Sequence, residues 1–126
     1  MRFAVLVRST PEIETGRVPS LEELEPMGRF NEGLIKDGVM LAADGLHASS
    51  KGARIHFSKG NTKVTDGPFA ESKELIAGFW IVQGKSKAEI IERFTHAPMQ
   101  DGDVLEIRQI FEEEDFLTPD AQPVKG

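Results

Sequence analysis

The segment from Val64 to Leu75 concentrates charged and turn-forming residues. Its candidate ligand-binding residues are Asp66, Phe69, Glu71, Lys73 and Glu74. Carboxylates beside a lysine can bind a small polar ligand or exchange protons with it. The same charges can instead pair with one another, or with Arg54 or Arg108, around a rigid turn in which Gly67 adopts a positive φ. Both interpretations remain open from the sequence.

Arg108 is the strongest candidate for orienting a small anionic ligand, provided that its face of an edge strand lines a cleft. On an open face it would form only a solvated pair with Glu106. The chain has three histidines and no cysteine, and the histidines lack a spaced set of carboxylate partners. No phosphate-binding loop or dinucleotide fingerprint is present. We therefore expect neither a metal nor another cofactor.

Two capping boxes predict the helices that accompany these residues. Ser20 precedes Glu23 by three residues, and Ser86 precedes Glu89 by the same interval. Apolar residues at helical spacing follow each box. The predicted helices end before Gly38 and Pro98. Pro26 leaves open whether the first helix is regular from its cap or only from the proline onward.

Six short segments have the apolar pattern of strands. They are Arg2–Arg8, Val39–Ala43, Arg54–Ser58, Thr62–Asp66, Leu75–Val82 and Asp103–Phe111. The third and fourth flank Gly60-Asn61 and read as a hairpin. Without that hairpin the order is βαββαβ, which predicts an α+β, ferredoxin-like fold with its first and third strands in the middle of the sheet. Those two strands are the ones that are apolar on both faces.

The apolar pattern of the strands also predicts how the chain assembles. In this fold both helices cover one face of the sheet, so the second apolar face would remain exposed. A second copy of the chain is the simplest cover, because two-fold homodimers are the commonest oligomers. We therefore predict a homodimer of the dimeric α/β-barrel type, with residues 75–82 at the interface.

Length and composition set the remaining limits. The chain has 126 residues and a net charge of −6, which predicts one domain over residues 1–115 with a loose tail over 116–126. An acidic chain without a basic patch disfavours binding to nucleic acid. No segment is long and apolar enough to enter a membrane, and the N-terminal apolar run is too short for a signal peptide. A cytoplasmic location is the remaining expectation.

The charged segment also carries a family resemblance. Its D-G-P-F-A-E motif, Asp66–Glu71, is followed by Lys73-Glu74-Leu75 and by Gly78-Phe79-Trp80. Further matching stretches are Met27–Glu32, Gly45-Leu46 and Glu106–Arg108. Together these resemble the DGPF branch of the YCII-related family over nearly the whole chain. The resemblance implies a ferredoxin-like dimeric α/β-barrel protein of the bacterial cytoplasm with no established reaction. Such proteins are often encoded beside sigma factors, which makes a sigma factor a candidate partner.

The resemblance carries no catalytic residue onto this sequence. The wider YCII-related superfamily resembles a set of small enzymes with a proposed histidine near the start of the first helix and an aspartate partner. The matching position here is Met27, and no histidine precedes His47. Two hypotheses follow. The protein is a small-molecule-binding enzyme of unknown reaction, or it is a non-catalytic regulatory or ligand-sensing module that acts with a partner such as a sigma factor.

Overall fold

A computed structural model describes residues 1–117 of the chain. Its strands are β1 (Arg2–Arg8), β2 (Met40–Gly45), β3 (Ala53–Ser58), β4 (Asn61–Asp66), β5 (Ile76–Gln83) and β6 (Leu105–Gln109). Its helices are α1 (Pro11–Glu14), α2 (Leu21–Lys36), α3 (Lys87–Phe94) and α4 (Glu113–Leu117). The protein is therefore a mixed α+β structure.

Four strands form the main sheet in the order β2-β5-β1-β6, and every neighbouring pair is antiparallel. The two central strands, β1 and β5, are the two that the sequence pattern predicted to be apolar on both faces. The last strand, β6, lies at an edge as predicted. This arrangement is compatible with the expected ferredoxin-like fold.

The hydrophobic core lies between one face of the main sheet and the helices α2 and α3. Phe3, Val5 and Val82 contribute fully buried side chains from the central strands. The ring centroids of Trp80 and Phe94 lie 5.1 Å apart in an edge-to-face arrangement, a favourable geometry for aromatic pairs. Alternating residues of β1 and β5 thus fix the position of both helices.

The opposite face of the main sheet is also apolar but is not part of that core. Leu6 lies opposite Phe79, and Ala4 lies opposite Ile81, across the β1–β5 pair. Their side chains are half-buried in the single chain. Since residues directly opposite one another share a face, these four form a continuous apolar surface.

Both predicted helix starts are confirmed by their caps. The Ser20 hydroxyl accepts a hydrogen bond from the backbone N–H of Glu23 at 3.1 Å, and α2 runs without interruption from Leu21 to Lys36. Pro26 lies inside this helix, so the alternative start at the proline is wrong. The Ser86 hydroxyl caps α3 in the same manner, 3.2 Å from the N–H of Glu89.

Strands β3 and β4 form a separate two-stranded sheet, which we call the hairpin arm. Ser58 pairs with Asn61, so Lys59 and Gly60 form the two-residue turn. Both have positive φ, 48° and 82°, as a turn of this hand requires. The predicted turn at Gly60-Asn61 is therefore wrong by one residue.

Two short helices were not predicted. Thr10 caps α1, and its hydroxyl accepts from the N–H of Ile13 at 3.2 Å. Helix α4 occupies residues for which no helix or strand was predicted, and the rings of Phe111 and Phe116 lie 5.0 Å apart there. The predicted loose tail, 116–126, begins within α4, and its residues 118–126 lie outside the described part. Within residues 1–117, no helix has the length and apolar character needed to cross a membrane.

Candidate functional site

The D-G-P-F segment leaves the hairpin arm and lies against the connection between β2 and β3. The N–H of Gly67 donates to the carbonyl of Gly52 at 2.9 Å. A Cβ atom on Gly67 would lie only 1.7 Å from the carbonyl oxygen of Ser49. The glycine is therefore required by the close approach of two backbones. The predicted positive φ is wrong, because Gly67 is not among the residues of the described chain with positive φ.

Ser49 holds this segment in place through three hydrogen bonds. Its hydroxyl donates to the Glu14 carboxylate, and its backbone N–H donates to the other oxygen of that carboxylate at 3.1 Å. The Ser49 hydroxyl oxygen in turn accepts from the N–H of Phe69 at 2.9 Å. Glu14, Ser49 and Phe69, which we call the Ser49 clamp, thus join α1, the β2–β3 connection and the D-G-P-F segment.

A cavity of about 520 Å³ opens beside the clamp. Its apolar wall includes Leu46, Phe69, Leu75 and Ile76. Its polar lining includes Glu14, His47, Lys51, Arg54 and Glu74. The volume falls within the range of small-molecule sites, which combine an apolar lining with a few placed polar groups.

Arg54 stacks on the apolar wall of this cavity. Its guanidinium carbon lies 3.8 Å from the centroid of the Phe69 ring. Within residues 1–117, Arg54, Lys51 and His47 form neither an ion pair nor a side-chain hydrogen bond. Three basic side chains therefore line the cavity without a carboxylate partner.

The structure brings only part of the predicted charged cluster to this cavity. Phe69 and Glu74 line it. Lys73 lines a separate cavity of about 290 Å³, and its carbonyl accepts a hydrogen bond from Arg8. The exposed side chains of Asp66 and Glu71 belong to neither lining.

The alternative of mutual charge pairing in this segment is not observed. Within the described chain, none of Asp66, Glu71, Lys73 and Glu74 belongs to an ion pair. The segment is held by Gly67 packing and by the Ser49 clamp. Ion pairs of its charged side chains are therefore not what holds the turn within residues 1–117.

Arg108 lies on β6, away from the cavity. It is highly exposed and pairs with Glu106 at 3.3 Å, while Glu106 also pairs with Arg8 at 3.2 Å. Arg108 lines neither the cavity of the clamp nor the two that adjoin it. Arg108 therefore has the position expected of a solvated pair with Glu106, and not that of an anion anchor in this cavity.

Two smaller cavities continue from the first along the end of β2. One, of about 360 Å³, shares Leu46 and His47 with it and is also lined by Arg17. The next, of about 270 Å³, is lined by Met27 and Asn31 among others. There the Asn31 side-chain oxygen accepts from the Trp80 indole N–H at 2.8 Å. The three cavities form one groove across this end of the sheet.

Arg17, at the edge of the groove, is fixed by an acidic neighbour. Its guanidinium donates a hydrogen bond to Glu23, and this bond lowers the pKa of Glu23 below its ordinary value. The same bond raises the pKa of Arg17. Arg17 is thus already paired, unlike the basic residues around the largest cavity.

The histidines do not form a common site. His47 lies in the β2–β3 connection, whereas His56 lies on β3 of the hairpin arm, so the two are not on neighbouring strands. Residues 1–117 contain no group of three histidine or carboxylate side chains placed to hold a metal ion.

Sequence reasoning missed four of the residues that shape the cavity: Glu14, Ser49, Lys51 and Arg54. The clamp joins positions 35 and 20 residues apart, and no local pattern indicates such contacts. Arg54 was considered only as a partner for the charged segment. Its position on the predicted hairpin that leads into the D-G-P-F segment was the one available signal.

No curated protein matches the chain significantly. The family model described as the YCII-related domain matches residues 1–114, which includes the main sheet, the hairpin arm, the clamp and the groove. This match confirms the resemblance to the YCII-related family. The chain belongs to the YCII-related domain family.

Proposed function

We propose that the protein binds a small molecule with a carboxylate and an apolar body in the cavity beside the Ser49 clamp. The observation that carries this proposal is the set of basic side chains, His47, Lys51 and Arg54, that face the cavity without an acidic partner in the described chain. The unpaired cations of Lys51 and Arg54 beside an apolar wall favour an amphiphilic anion.

Arg54 is the proposed anchor for the carboxylate. Stacking on Phe69 uses the face of its guanidinium and leaves the N–H groups in the plane of that group available. Those N–H groups match the two oxygens of a carboxylate in a forked arrangement. Lys51 would add a second positive charge without the same directional preference.

The opposite side of the cavity suits the apolar part of the ligand. Leu75 is buried and Phe69 is half-buried, so both present a fixed surface. Glu74 lines the same cavity and has no ion-pair partner within residues 1–117. It can accept a hydrogen bond from a hydroxyl or amine of the ligand.

A binding role is favoured over catalysis. The Ser49 hydroxyl already donates to Glu14 and accepts from Phe69, so it is held as part of the wall. Met27 lines the groove at the position where the resemblance would place a histidine, and a thioether transfers no proton. The alternative, an enzyme of unknown reaction, would be favoured by turnover of a bound ligand. A sigma-factor partner remains a prediction from the resemblance.

We further propose that the DGPF-type chain assembles as a homodimer of the dimeric α/β-barrel type. The apolar surface formed by Leu6, Phe79 and Ile81 supports this proposal, because it lies on the face of the sheet opposite the core. Sedimentation should give a dimer at micromolar concentration. A monomer at that concentration would rule the assembly out.

Calorimetric titration with matched ligands tests the proposed binding site. We expect benzoate, phenylacetate or hexanoate to bind and raise the melting temperature, while the corresponding neutral amides do not. Arg54→Met should weaken carboxylate binding about tenfold or more, since a charge-assisted forked contact is lost. Arg108→Met is the control, because that exposed arginine lies outside the cavity.

Two outcomes would contradict the proposal. Equal binding of the acids and their amides would show that the basic side chains do not contribute to binding. Equal losses in Arg54→Met and Arg108→Met would show that overall charge, rather than this cavity, attracts the ligand.

A further inference from the structure

Asn31, on the side of α2 that lines the groove, carries a side-chain donor that its own chain does not use. The Trp80 indole N–H can only donate, so it turns the Asn31 oxygen towards itself, at 2.8 Å. The Asn31 side-chain nitrogen carries the donors of the amide. Within residues 1–117 this nitrogen has no hydrogen-bond partner, and it is not among the polar atoms that are sealed from the surface. It is therefore an oriented donor that remains accessible.

The cavity at Asn31 gives this donor an apolar setting. Its apolar side chains include Val7, Leu24, Met27 and Ala43. Asp44 also lines the cavity, but it lies opposite Phe79, whereas the preceding residue lies opposite Trp80. Because successive side chains of a strand point to opposite faces, the Asp44 carboxylate lies on the face away from Trp80 and Asn31. A ligand group here meets a donor and no charge, which suits an uncharged acceptor such as a carbonyl oxygen.

This cavity is continuous with the one beside the Ser49 clamp. Gly45 lines the first and Leu46 lines the second, and consecutive Cα atoms are about 3.8 Å apart. The cavity between them is lined mainly by apolar residues, and its arginine, Arg17, is already paired with Glu23. An apolar chain can therefore run along the groove from the basic side chains of the clamp cavity to the asparagine amide.

We propose that the ligand of the clamp cavity is a carboxylic acid whose apolar chain bears a distal, uncharged carbonyl group, and that Asn31 binds this carbonyl. The inference rests on the carboxylate site proposed above and adds a second point of recognition. Arg54 holds the charged end, and the Asn31 amide donates to the carbonyl oxygen at the other end. An acid without the second carbonyl leaves that donor unpaired in an apolar cavity, so the groove discriminates against it.

Calorimetric titration with paired ligands tests the inference. Monomethyl sebacate carries a carboxylate and a distal ester carbonyl, and dodecanoate has the same chain length without that carbonyl. Asn31→Asp keeps an oxygen for the Trp80 N–H but removes the donor, and Asn31→Leu removes the donor without adding charge. In each variant we expect the affinity for monomethyl sebacate, relative to that for dodecanoate, to fall about two- to tenfold.

Two controls locate the effect. Lys36→Met changes the net charge as Asn31→Asp does, at an exposed residue of α2 that lines none of the three cavities, and it should leave the ratio of affinities unchanged. Monomethyl succinate carries both groups but is too short to span the groove, so its affinity should not depend on Asn31. Trp80 is the only tryptophan of the chain, and its fluorescence should change with monomethyl sebacate but not with monomethyl succinate. Circular dichroism checks that every variant is folded.

The remaining outcomes separate this inference from the site on which it rests. If both Asn31 variants weaken monomethyl sebacate and dodecanoate equally, or weaken neither, Asn31 does not bind the carbonyl and the inference is overturned. The carboxylate site stands in that case, provided that Arg54→Met still weakens both ligands. If Arg54→Met changes neither affinity, or if the wild-type chain binds neither ligand, the proposed function is overturned together with the second contact.

Discussion

The main sheet and the hairpin arm both place apolar side chains at every second residue on one face, but they differ in what covers that face. Val5, Trp80 and Val82 of the main sheet are at most 4% exposed, whereas Phe57 of the arm is 79% exposed. The difference shows that alternation forms strands in both places, while burial depends on the helices packed above them. Stability should therefore be concentrated in the sheet, and the arm should be available for contacts.

The largest expected effect on the free energy of unfolding is at Trp80 in the main sheet. Trp80→Ala should lower the free energy of unfolding by about 3–5 kcal/mol, since the indole contacts Phe94 and bonds to Asn31. Phe57→Ala should change it by less than about 0.5 kcal/mol. Urea denaturation measures the free energy of unfolding of both variants, at protein concentrations low enough for the chain to be monomeric. Similar losses of stability in the two variants would contradict the proposed difference between the main sheet and the hairpin arm.

The base of the arm should be the next most sensitive place. Gly67→Ala should destabilise by about 1–3 kcal/mol or more, as overpacking does, because the new Cβ would overlap the Ser49 carbonyl. Gly28→Ala is the control, since nothing lies within 4 Å of its Cβ position in α2. That change should stabilise by about 0.5–1 kcal/mol. Thermal unfolding of both variants decides whether space at Gly67 is limiting.

Removal of the clamp hydroxyl should have a moderate effect on stability and a larger one on binding. Ser49→Ala leaves the Phe69 N–H without its acceptor and removes one of the two hydrogen bonds to Glu14, at a cost of about 1–3 kcal/mol. Carboxylate binding should weaken with it, because the cavity wall is no longer fixed. Ser50→Ala, at the exposed neighbouring serine, should change neither quantity. If Ser49→Ala binds the carboxylate with unaltered affinity, the clamp is not needed for ligand binding.

The smallest expected effect concerns acid stability at the edge of the groove. Arg17 lowers the folded-state pKa of Glu23, so the pair stabilises the fold above the unfolded pKa of glutamate, about 4.3. That contribution disappears as the pH falls through the lowered folded pKa. Glu23→Gln should remove this part of the pH dependence, whereas Glu22→Gln should not. Because both groups are exposed, the difference should be small, and melting curves between neutral and acidic pH measure it.

Local patterns predicted the main sheet and the two long helices because each signal lies within a few residues. The capping boxes at Ser20 and Ser86 and the doubly apolar strands are of this kind. The hairpin turn was misplaced by one residue, since Lys59 adopts a positive φ that its residue type does not favour. A turn dipeptide alone therefore does not fix a register.

The candidate site was less predictable. The D-G-P-F segment lies beside the cavity of the proposed site, and Phe69 and Glu74 line that cavity. Ser49, Glu14 and Arg54 come together only through tertiary contacts, which one sequence does not reveal. Even the requirement for Gly67 was assigned to dihedral freedom, although it arises from a backbone that lies elsewhere in the chain.

The Ser49 clamp also bears on how easily parts of the protein open. It is held by a few part-buried hydrogen bonds, whereas the core is held by fully buried apolar side chains of the main sheet, α2 and α3. Regions with few buried apolar contacts open at a lower free energy than the core does. We therefore expect the cavity to be among the first features to open. The exchange of the Phe69 amide proton with solvent would measure how long it remains closed.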